Sequence, residues 1–103
     1  MVLELMASLD CEAIVVARNR LGTINHSLLT LRILQETGIW AVKLVLMDSP
    51  GQDVSSRSNP RLLSELVAPV PVHVVPFLGP NCRKANTLRT AAARLRPLLA
   101  RLV

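Results

Sequence analysis

Four residues that can bind or polarise a ligand fall within five positions of the stretch RLGTINHSLL: Gly22, Thr23, Asn25 and His26. An apolar run precedes them and a helical pattern follows, which indicates a strand-to-helix junction. The free N–H groups in the first turn of a helix favour an anion. Gly22 lets the backbone approach a ligand without a Cβ, Thr23 can cap the helix, and Asn25 can hydrogen-bond a ligand. The junction therefore predicts a carboxylate or phosphate site, with an ordinary helix start as the alternative.

Other chemistry has little support in the sequence. The phosphate-loop spacing G-x-x-x-x-G-K-[ST] does not occur. We expect His26 to be a structural hydrogen-bonding residue, since no carboxylate nearby in the sequence could orient it as a catalyst. Cys11 and Cys82 fit no metal or redox spacing, so we expect two reduced thiols.

Three apolar runs that could position this junction predict strands at residues 12–18, 40–47 and 70–77. The first two are expected to be buried on both faces of a parallel sheet. Prolines at 71 and 76 fit the ends of the third strand. A helix precedes the first strand and one follows each strand, and this alternation predicts an α/β fold with right-handed crossovers.

The helices have recognisable limits. The first helix after a strand follows Gly22 and stops at Gly38. The second is expected to start at Asn59 and Pro60, after a polar loop over 48–58. The last covers 86–102 and should be kinked or interrupted by Pro97. The apolar stripe of the first of these helices is Ile24, Leu28, Leu31 and Gln35, widened by Leu29 and Ile33, and the second runs through Leu62, Leu63 and Leu66.

The chain has 103 residues, which suits a single domain over residues 1–103. It has one Trp, one Phe and no Tyr, so the core must be aliphatic. A mean hydropathy of +0.40 is high for a chain of this size. Three strands also leave a sheet edge open. We therefore expect a partner subunit or a further segment to cover apolar surface.

Neither a membrane segment nor a nucleic-acid site is expected. The longest apolar run, LVAPVPVHVVPFLG, contains three prolines and falls short of the roughly 20 residues of a membrane helix. The N-terminus lacks the basic start of a signal peptide, which predicts a cytoplasmic location. Six basic residues and no acid lie between Arg83 and Val103. Because no aromatic residue accompanies them, we expect a solvated helix face, with nucleic-acid binding as the weaker alternative.

The segment VVARNRLGTINHSLLTLRILQETGIWAVKLVLMD, followed by VVPFL, resembles the C-terminal half of the dethiobiotin synthetase family. Members of that family carry Leu-Gly-[Thr/Cys]-[Ile/Leu]-Asn-His after a strand, and Ile-Pro-aromatic-Leu at the end of a later strand. The resemblance implies a partial P-loop NTPase-like domain of the Rossmann-like three-layer type, with about three parallel strands. It also implies formation of dethiobiotin from 7,8-diaminononanoate, carbon dioxide and ATP with Mg²⁺, by a homodimer that binds substrate at its interface.

The resemblance also implies roles for particular residues. The helix start that receives the substrate's carboxylate matches Gly22, Thr23, Ile24 and Asn25. Two walls of the adenine pocket match Met47 and Asp48, and Pro76, Phe77 and Leu78. The family usually has asparagine where Met47 stands. Methionine can pack against a base but cannot make the paired hydrogen bonds of an amide, so the nucleotide preference stays open.

The phosphate loop, the carbamate lysine and the acidic magnesium ligands belong to the family's N-terminal half, and Met1 falls past the midpoint of the family's chain. We therefore expect no catalytic or metal-ligating residue here, and no turnover by this chain alone. One reading is a dethiobiotin synthetase portion, from a split gene or a truncated reading frame, whose site another polypeptide completes. The alternative is a non-catalytic α/β dimerisation or interaction domain.

Overall fold

Helices and strands alternate along the computed structural model, which describes residues 2–51, 53–79 and 84–102. In chain order the elements are α1 (Val2–Ser8), β1 (Ala13–Arg18), α2 (Thr23–Glu36), β2 (Val42–Met47), α3 (Val54–Val67), β3 (Val72–Val75) and α4 (Ala85–Leu102). The strands form one parallel sheet in the order β1-β2-β3. The predicted α/β class, the three strands and their parallel arrangement are confirmed.

The hydrophobic core lies on one face of the sheet, under α2 and α3. Alternation along β2 directs Val42, Leu44 and Leu46 to this face, and all three are buried. They form one cluster with side chains from the two helices, chiefly Leu31, Leu34, Leu63 and Val67. The cluster contains no aromatic side chain, as the composition predicts.

Helix α4 lies on the opposite face, against β3. Lys43, which alternation directs away from the core, donates from Nζ to the Leu102 carbonyl at 2.8 Å. The predicted interruption at Pro97 is wrong, because α4 continues through that residue. Pro97 deprives the Ala93 carbonyl of its helical donor, and water can replace it since Ala93 is exposed.

Strand β1 is buried on one face only, so the expectation that both faces are covered is wrong. Ile14 and Val16, which point to the side occupied by α4, are 52% and 62% exposed. Within the described residues β1 is an edge strand, and α4 packs at the other edge. The β1 outer face, defined by Ile14 and Val16, is uncovered apolar surface of the kind that the composition predicts.

Helix α2 ends as predicted, at a glycine in the left-handed region. Gly38 has φ +94° and donates to the Gln35 carbonyl, while Ile39 donates to the Leu34 carbonyl. Leu29 and Ile33 do not widen the buried stripe, since both are exposed. The buried residues of α2 are instead Thr23, Ser27, Leu31 and Leu34.

Ser27 is buried in α2, and its hydroxyl has no hydrogen-bond partner among the described residues. An unpaired buried hydroxyl costs stability, and alanine is the better helix former. We expect Ser27→Ala to raise the free energy of unfolding by about 1 kcal/mol in urea denaturation. Ser58→Ala, at an exposed serine of α3, is the control and should change it by less than about 0.5 kcal/mol. A loss of stability in Ser27→Ala would contradict the unpaired state of the hydroxyl.

Helix α3 begins at Val54, so the predicted start at Asn59 and Pro60 is wrong. Asp53 is the N-cap: its carboxylate accepts from the Ser56 N–H at 2.9 Å, and the Ser56 hydroxyl accepts from the Asp53 N–H at 3.1 Å. This reciprocal pair is a capping box formed by serine instead of the usual glutamate. Pro60 therefore lies inside the helix.

Candidate functional site

The loops that follow the three parallel strands meet at the carboxyl-terminal edge of the sheet, where ligands of open α/β sheets bind. A hollow of about 350 Å³ opens at this edge. Met47, Asp48 and Phe77 line it, so the structure brings together three of the five residues predicted for nucleotide binding. Pro76 and Leu78 flank Phe77 in the chain but do not line the hollow.

The hollow offers both apolar and polar groups. Met47 and Phe77 are 39% and 41% exposed, which leaves part of each side chain free to contact a flat ligand. Asp48 is half-buried and, among the described residues, is the only carboxylate in the lining. The volume lies within the range of small-molecule pockets.

The predicted carboxylate segment, Gly22 to Asn25, forms the start of α2 directly after β1. The prediction that Thr23 caps α2 is wrong. Gly22 is the N-cap, and no side chain caps the helix. Thr23 is buried inside the first turn. The Thr23 N–H donates to the Arg20 carbonyl. Among the described residues, the N–H groups of Ile24 and Asn25 have no backbone acceptor, and no acid occupies the first turn. These two donors remain available to an anion.

Gly22 is required by the backbone at this start. It adopts φ +89° and ψ −9°, and a Cβ built there would approach no atom closer than His26 Cδ2 at 3.9 Å. Since space is available, the cost of a side chain comes from the left-handed conformation alone. We expect Gly22→Ala to lower the free energy of unfolding by about 1–2 kcal/mol in urea.

The control for this change is Gly51→Ala. Gly51 lies outside the left-handed region and has no neighbour within 4 Å of an added Cβ. Equal effects of the two substitutions would contradict the conformational explanation.

His26 follows this segment on the exposed surface of α2. Its backbone N–H donates to the Gly22 carbonyl at 3.2 Å. Within the described ranges its ring has no hydrogen-bond partner, so the expected structural role of the side chain is not found there.

Two buried asparagines connect the loops of this edge. Asn19 and Asn59 are 2% and 3% exposed. Asn19 Nδ2 donates to Asp48 Oδ1 at 2.7 Å and to the Ser56 carbonyl at 2.8 Å. Asn59 Nδ2 donates to Asn19 Oδ1 at 3.2 Å and to the Arg20 carbonyl at 2.9 Å. The Asn19–Asn59 pair thus joins the ends of β1 and β2 to helix α3.

The pair also explains how α3 tolerates Pro60. Proline has no N–H to donate to the carbonyl four residues earlier, which is that of Ser56. Asn19 Nδ2 supplies the missing donor to the Ser56 carbonyl. The sequence predicts Asn59 as a helix cap instead, and it assigns no role to Asn19. No local signal in the sequence marks the pair, because Asn19 and the Ser56 carbonyl lie 37 residues apart.

Hydrogen-bond donors around Asp53 lower the pKa of its carboxyl group. The Ser56 N–H is the main reason why the pKa of Asp53 lies below its ordinary value of 3.8, with the Ser56 hydroxyl and the Leu21 N–H acting in the same direction. Each of these donors stabilises the charged carboxylate.

The lowered pKa of Asp53 makes part of the stability depend on pH. The unfolded chain binds this proton more tightly, so the contribution is complete above pH 3.8 and is lost as the pH falls through the lower pKa of the folded state. Asp53→Asn keeps a capping acceptor that does not titrate. We expect the stability difference between wild type and Asp53→Asn to narrow on acidification, measured by urea unfolding at a series of pH values. A stability difference that does not change with pH would contradict the lowered pKa of Asp53.

Neither a cluster of metal ligands nor a helix that could span a membrane is found among the described residues. No three His, Cys, Asp or Glu side chains come together there as metal ligands would. Cys11 is a free, half-buried thiol that contacts the Met6 carbonyl, and Cys82 lies outside the described residues. None of the helices in 2–51, 53–79 and 84–102 combines the length and apolar character needed to traverse a bilayer.

Comparison with known proteins gives a consistent set of relatives. A family model described as an AAA domain matches residues 1–80. The ATP-dependent dethiobiotin synthetase BioD of Haloferax mediterranei is 36% identical over 78 residues, covering 76% of this chain and 33% of that protein. The enzyme of the same name from Bacillus subtilis strain 168 is 32% identical over 92 residues, covering 86% of this chain and 36% of that protein.

A third relative, the ATP-dependent dethiobiotin synthetase BioD of Aquifex aeolicus, is 36% identical over 63 residues, covering 61% of this chain and 29% of that protein. The chain thus spans about a third of the length of the relatives it matches. No solved structure gives a significant match.

Proposed function

Because the chain belongs to the AAA domain family and is related to a segment of the dethiobiotin synthetases, we propose that it is part of an ATP-dependent dethiobiotin synthetase. Its role is to supply the wall for the nucleotide base and the helix start that binds the substrate's carboxylate. The observation that carries this proposal is the position of both segments at one edge of the sheet. The reaction is ring closure of 7,8-diaminononanoate with carbon dioxide and ATP, as the resemblance implies.

The nucleotide part of the proposal rests on the hollow. Met47 and Phe77 offer apolar surface to a purine, and Asp48 offers a carboxylate that can accept from a ribose hydroxyl or an amino group. Asn19 fixes the Asp48 carboxylate through its 2.7 Å hydrogen bond. Pro76 and Leu78 stay in the proposal as residues that hold Phe77 in position.

The substrate part rests on the start of α2. The N–H groups of Ile24 and Asn25 and the positive end of the helix dipole suit the tail carboxylate of a diamino acid. Gly22 forms the turn, Thr23 packs beneath it, and the exposed Asn25 side chain can add a hydrogen bond. No acid in the first turn opposes the anion.

The remaining parts of the enzyme are proposed to come from other chain segments. The phosphate loop, the carbamate lysine and the acidic magnesium ligands are proposed to lie on those other segments, as the family resemblance implies. The uncovered β1 outer face supports association with a polypeptide that completes the sheet, or with a second copy in a homodimer. A cytoplasmic location and biotin biosynthesis belong to the same proposal.

The test is a pair of NMR titrations of the ¹⁵N-labelled chain, with ADP and with 7,8-diaminononanoate. ADP should shift the amide signals of Met47, Asp48 and Phe77, and the diamino acid those of Ile24 and Asn25. The matched control ligand, 2,3-diaminooctane, keeps both amines but lacks the carboxylate and should leave α2 unchanged. Asn25→Ala should weaken diamino-acid binding and leave ADP binding unaltered. Absence of both responses in the wild type would refute the proposal.

A second candidate, a non-catalytic interaction domain, is favoured by the β1 outer face together with methionine at position 47. It predicts a stable complex through β1 and no response to either ligand. Light scattering alongside the titrations separates the two candidates.

A further inference from the structure

We propose that Arg18 and Arg20 bind the phosphates of the nucleotide, so that the nucleotide lies along the sheet edge with its base toward β3 and its phosphates toward β1. This inference rests on the proposed function, because it takes Met47 and Phe77 as the base-binding wall. It adds to the nucleotide site two residues to which the family resemblance gives no role.

The order of the strands places the two arginines and Phe77 at opposite ends of the hollow. Arg18 pairs with Met47 in the parallel register, and Met47 pairs in turn with Val75 of β3. Arg18 and Arg20 line the hollow from the β1 side, and Phe77 lines it from the β3 side. The hollow is therefore cationic at one end and aromatic at the other, which matches the two ends of a nucleotide.

The two guanidinium groups are available for a ligand. Arg18 and Arg20 are exposed, and neither forms an ion pair within the described residues. Asp48, the one carboxylate that the described part of the chain adds to the lining, is hydrogen-bonded by the neutral amide of Asn19. Two unpaired cations against one carboxylate leave the hollow with an excess of positive charge.

Arginine suits this role for a geometric reason. Its planar guanidinium can donate two parallel hydrogen bonds to a phosphate. The Asn19–Asn59 pair also fixes the backbone between the two arginines, since Asn59 Nδ2 donates to the Arg20 carbonyl. The Asn19 N–H, which donates to the Met47 carbonyl at 2.9 Å, ties the same segment to the base wall. The backbone that carries the two arginines therefore keeps a fixed separation from the base wall.

The experiment compares adenosine with ADP, which differ only in the phosphates. Calorimetry at low salt, on the full chain, is carried out with wild type, Arg18→Gln, Arg20→Gln and the double variant. We expect wild type to bind ADP at least about tenfold more tightly than adenosine. Each single substitution should weaken ADP about fivefold and leave adenosine within about twofold. In the double variant ADP should bind no better than adenosine.

The control variants are Arg94→Gln and Arg96→Gln, which remove the same charge from the exposed surface of α4. If they weaken ADP as much as the hollow variants do, the effect is net charge and the inference is overturned. It is also overturned if wild type binds adenosine and ADP equally, a result that leaves the proposed base wall intact. Equal losses for adenosine and ADP in Arg18→Gln and Arg20→Gln would place the arginines at the base and contradict the phosphate assignment. Wild type that binds neither ligand refutes the proposed function and this inference together.

Discussion

Asn19→Leu is expected to lower the free energy of unfolding by about 3 kcal/mol, because it removes three of the hydrogen bonds that hold the sheet edge together. Leucine branches at Cγ as asparagine does, although it is larger, and it leaves the Ser56 carbonyl, Asp48 Oδ1 and Asn59 Nδ2 without the partner they have at Asn19. Two of the lost bonds are buried, and one involves a charged acceptor. Urea denaturation followed by circular dichroism gives the value.

A double-mutant cycle with Pro60→Ala tests the reason for this effect. Alanine at position 60 restores an N–H that can donate to the Ser56 carbonyl, which Asn19 otherwise serves. In the Asn19→Leu background, Pro60→Ala should therefore recover about 1 kcal/mol, beyond its effect in the wild type. Additive effects would show that Asn19 and Pro60 do not share this carbonyl. Asn25→Leu, at an exposed asparagine, should cost less than about 0.5 kcal/mol.

Leu63→Ala is expected to have a similar effect, a loss of about 3 kcal/mol in the free energy of unfolding. Leu63 is fully buried and joins α3 to the cluster that includes Leu44 and Leu46. Removing its isobutyl group leaves a cavity between helix and sheet, which the surrounding side chains can fill only in part. For a domain of this size such a loss is a large share of the total stability.

The matched control is the neighbouring residue on the same helix. Leu62 is 42% exposed, so Leu62→Ala should cost less than about 1 kcal/mol in the same urea experiment. Thermal unfolding should rank the variants in the same order. If Leu62→Ala were as damaging as Leu63→Ala, the assigned face of α3 would be wrong.

Most of the fold is predictable from the sequence because its signals are local. β-branched runs produce the three strands, and prolines at 71 and 76 flank β3 as expected. Gly22 and Gly38 limit α2 because both adopt positive φ, which other residues rarely do. The alternation of strands and helices then leaves a parallel sheet as the simplest arrangement.

The errors came from interactions between distant residues. The start of α3 was missed because Asn59 and Pro60 look like a helix start, whereas Asp53 and Ser56 form a stronger one and Asn19 compensates for the proline. That compensation spans 37 residues and leaves no local pattern. The apolar stripe predicted for α2 includes Leu29 and Ile33, which are exposed, because apolar character alone does not define the direction of a helix face.

The candidate site was predictable as positions but not as an arrangement. The sequence placed Gly22 to Asn25, Met47 and Asp48, and Phe77 after three separate strands, and parallel pairing brings such positions to one edge. Whether side chains such as Arg18 and Arg20 enter the same hollow depends on strand register and on the loops. From residue type and spacing alone, these two arginines cannot be told apart from other exposed pairs of charged residues.

The β1 outer face has a consequence for handling the protein. Within the described residues, β1 combines a free strand edge with the uncovered Ile14 and Val16, a template on which other chains can pair and aggregate. Glu12 and Arg18 flank this apolar stretch as charged gatekeepers of opposite sign. Parallel stacking of identical strands brings like charges together and is disfavoured, whereas antiparallel pairing sets Glu12 against Arg18 and is not. Co-expression with a polypeptide that covers β1 is therefore the route to soluble material at high concentration.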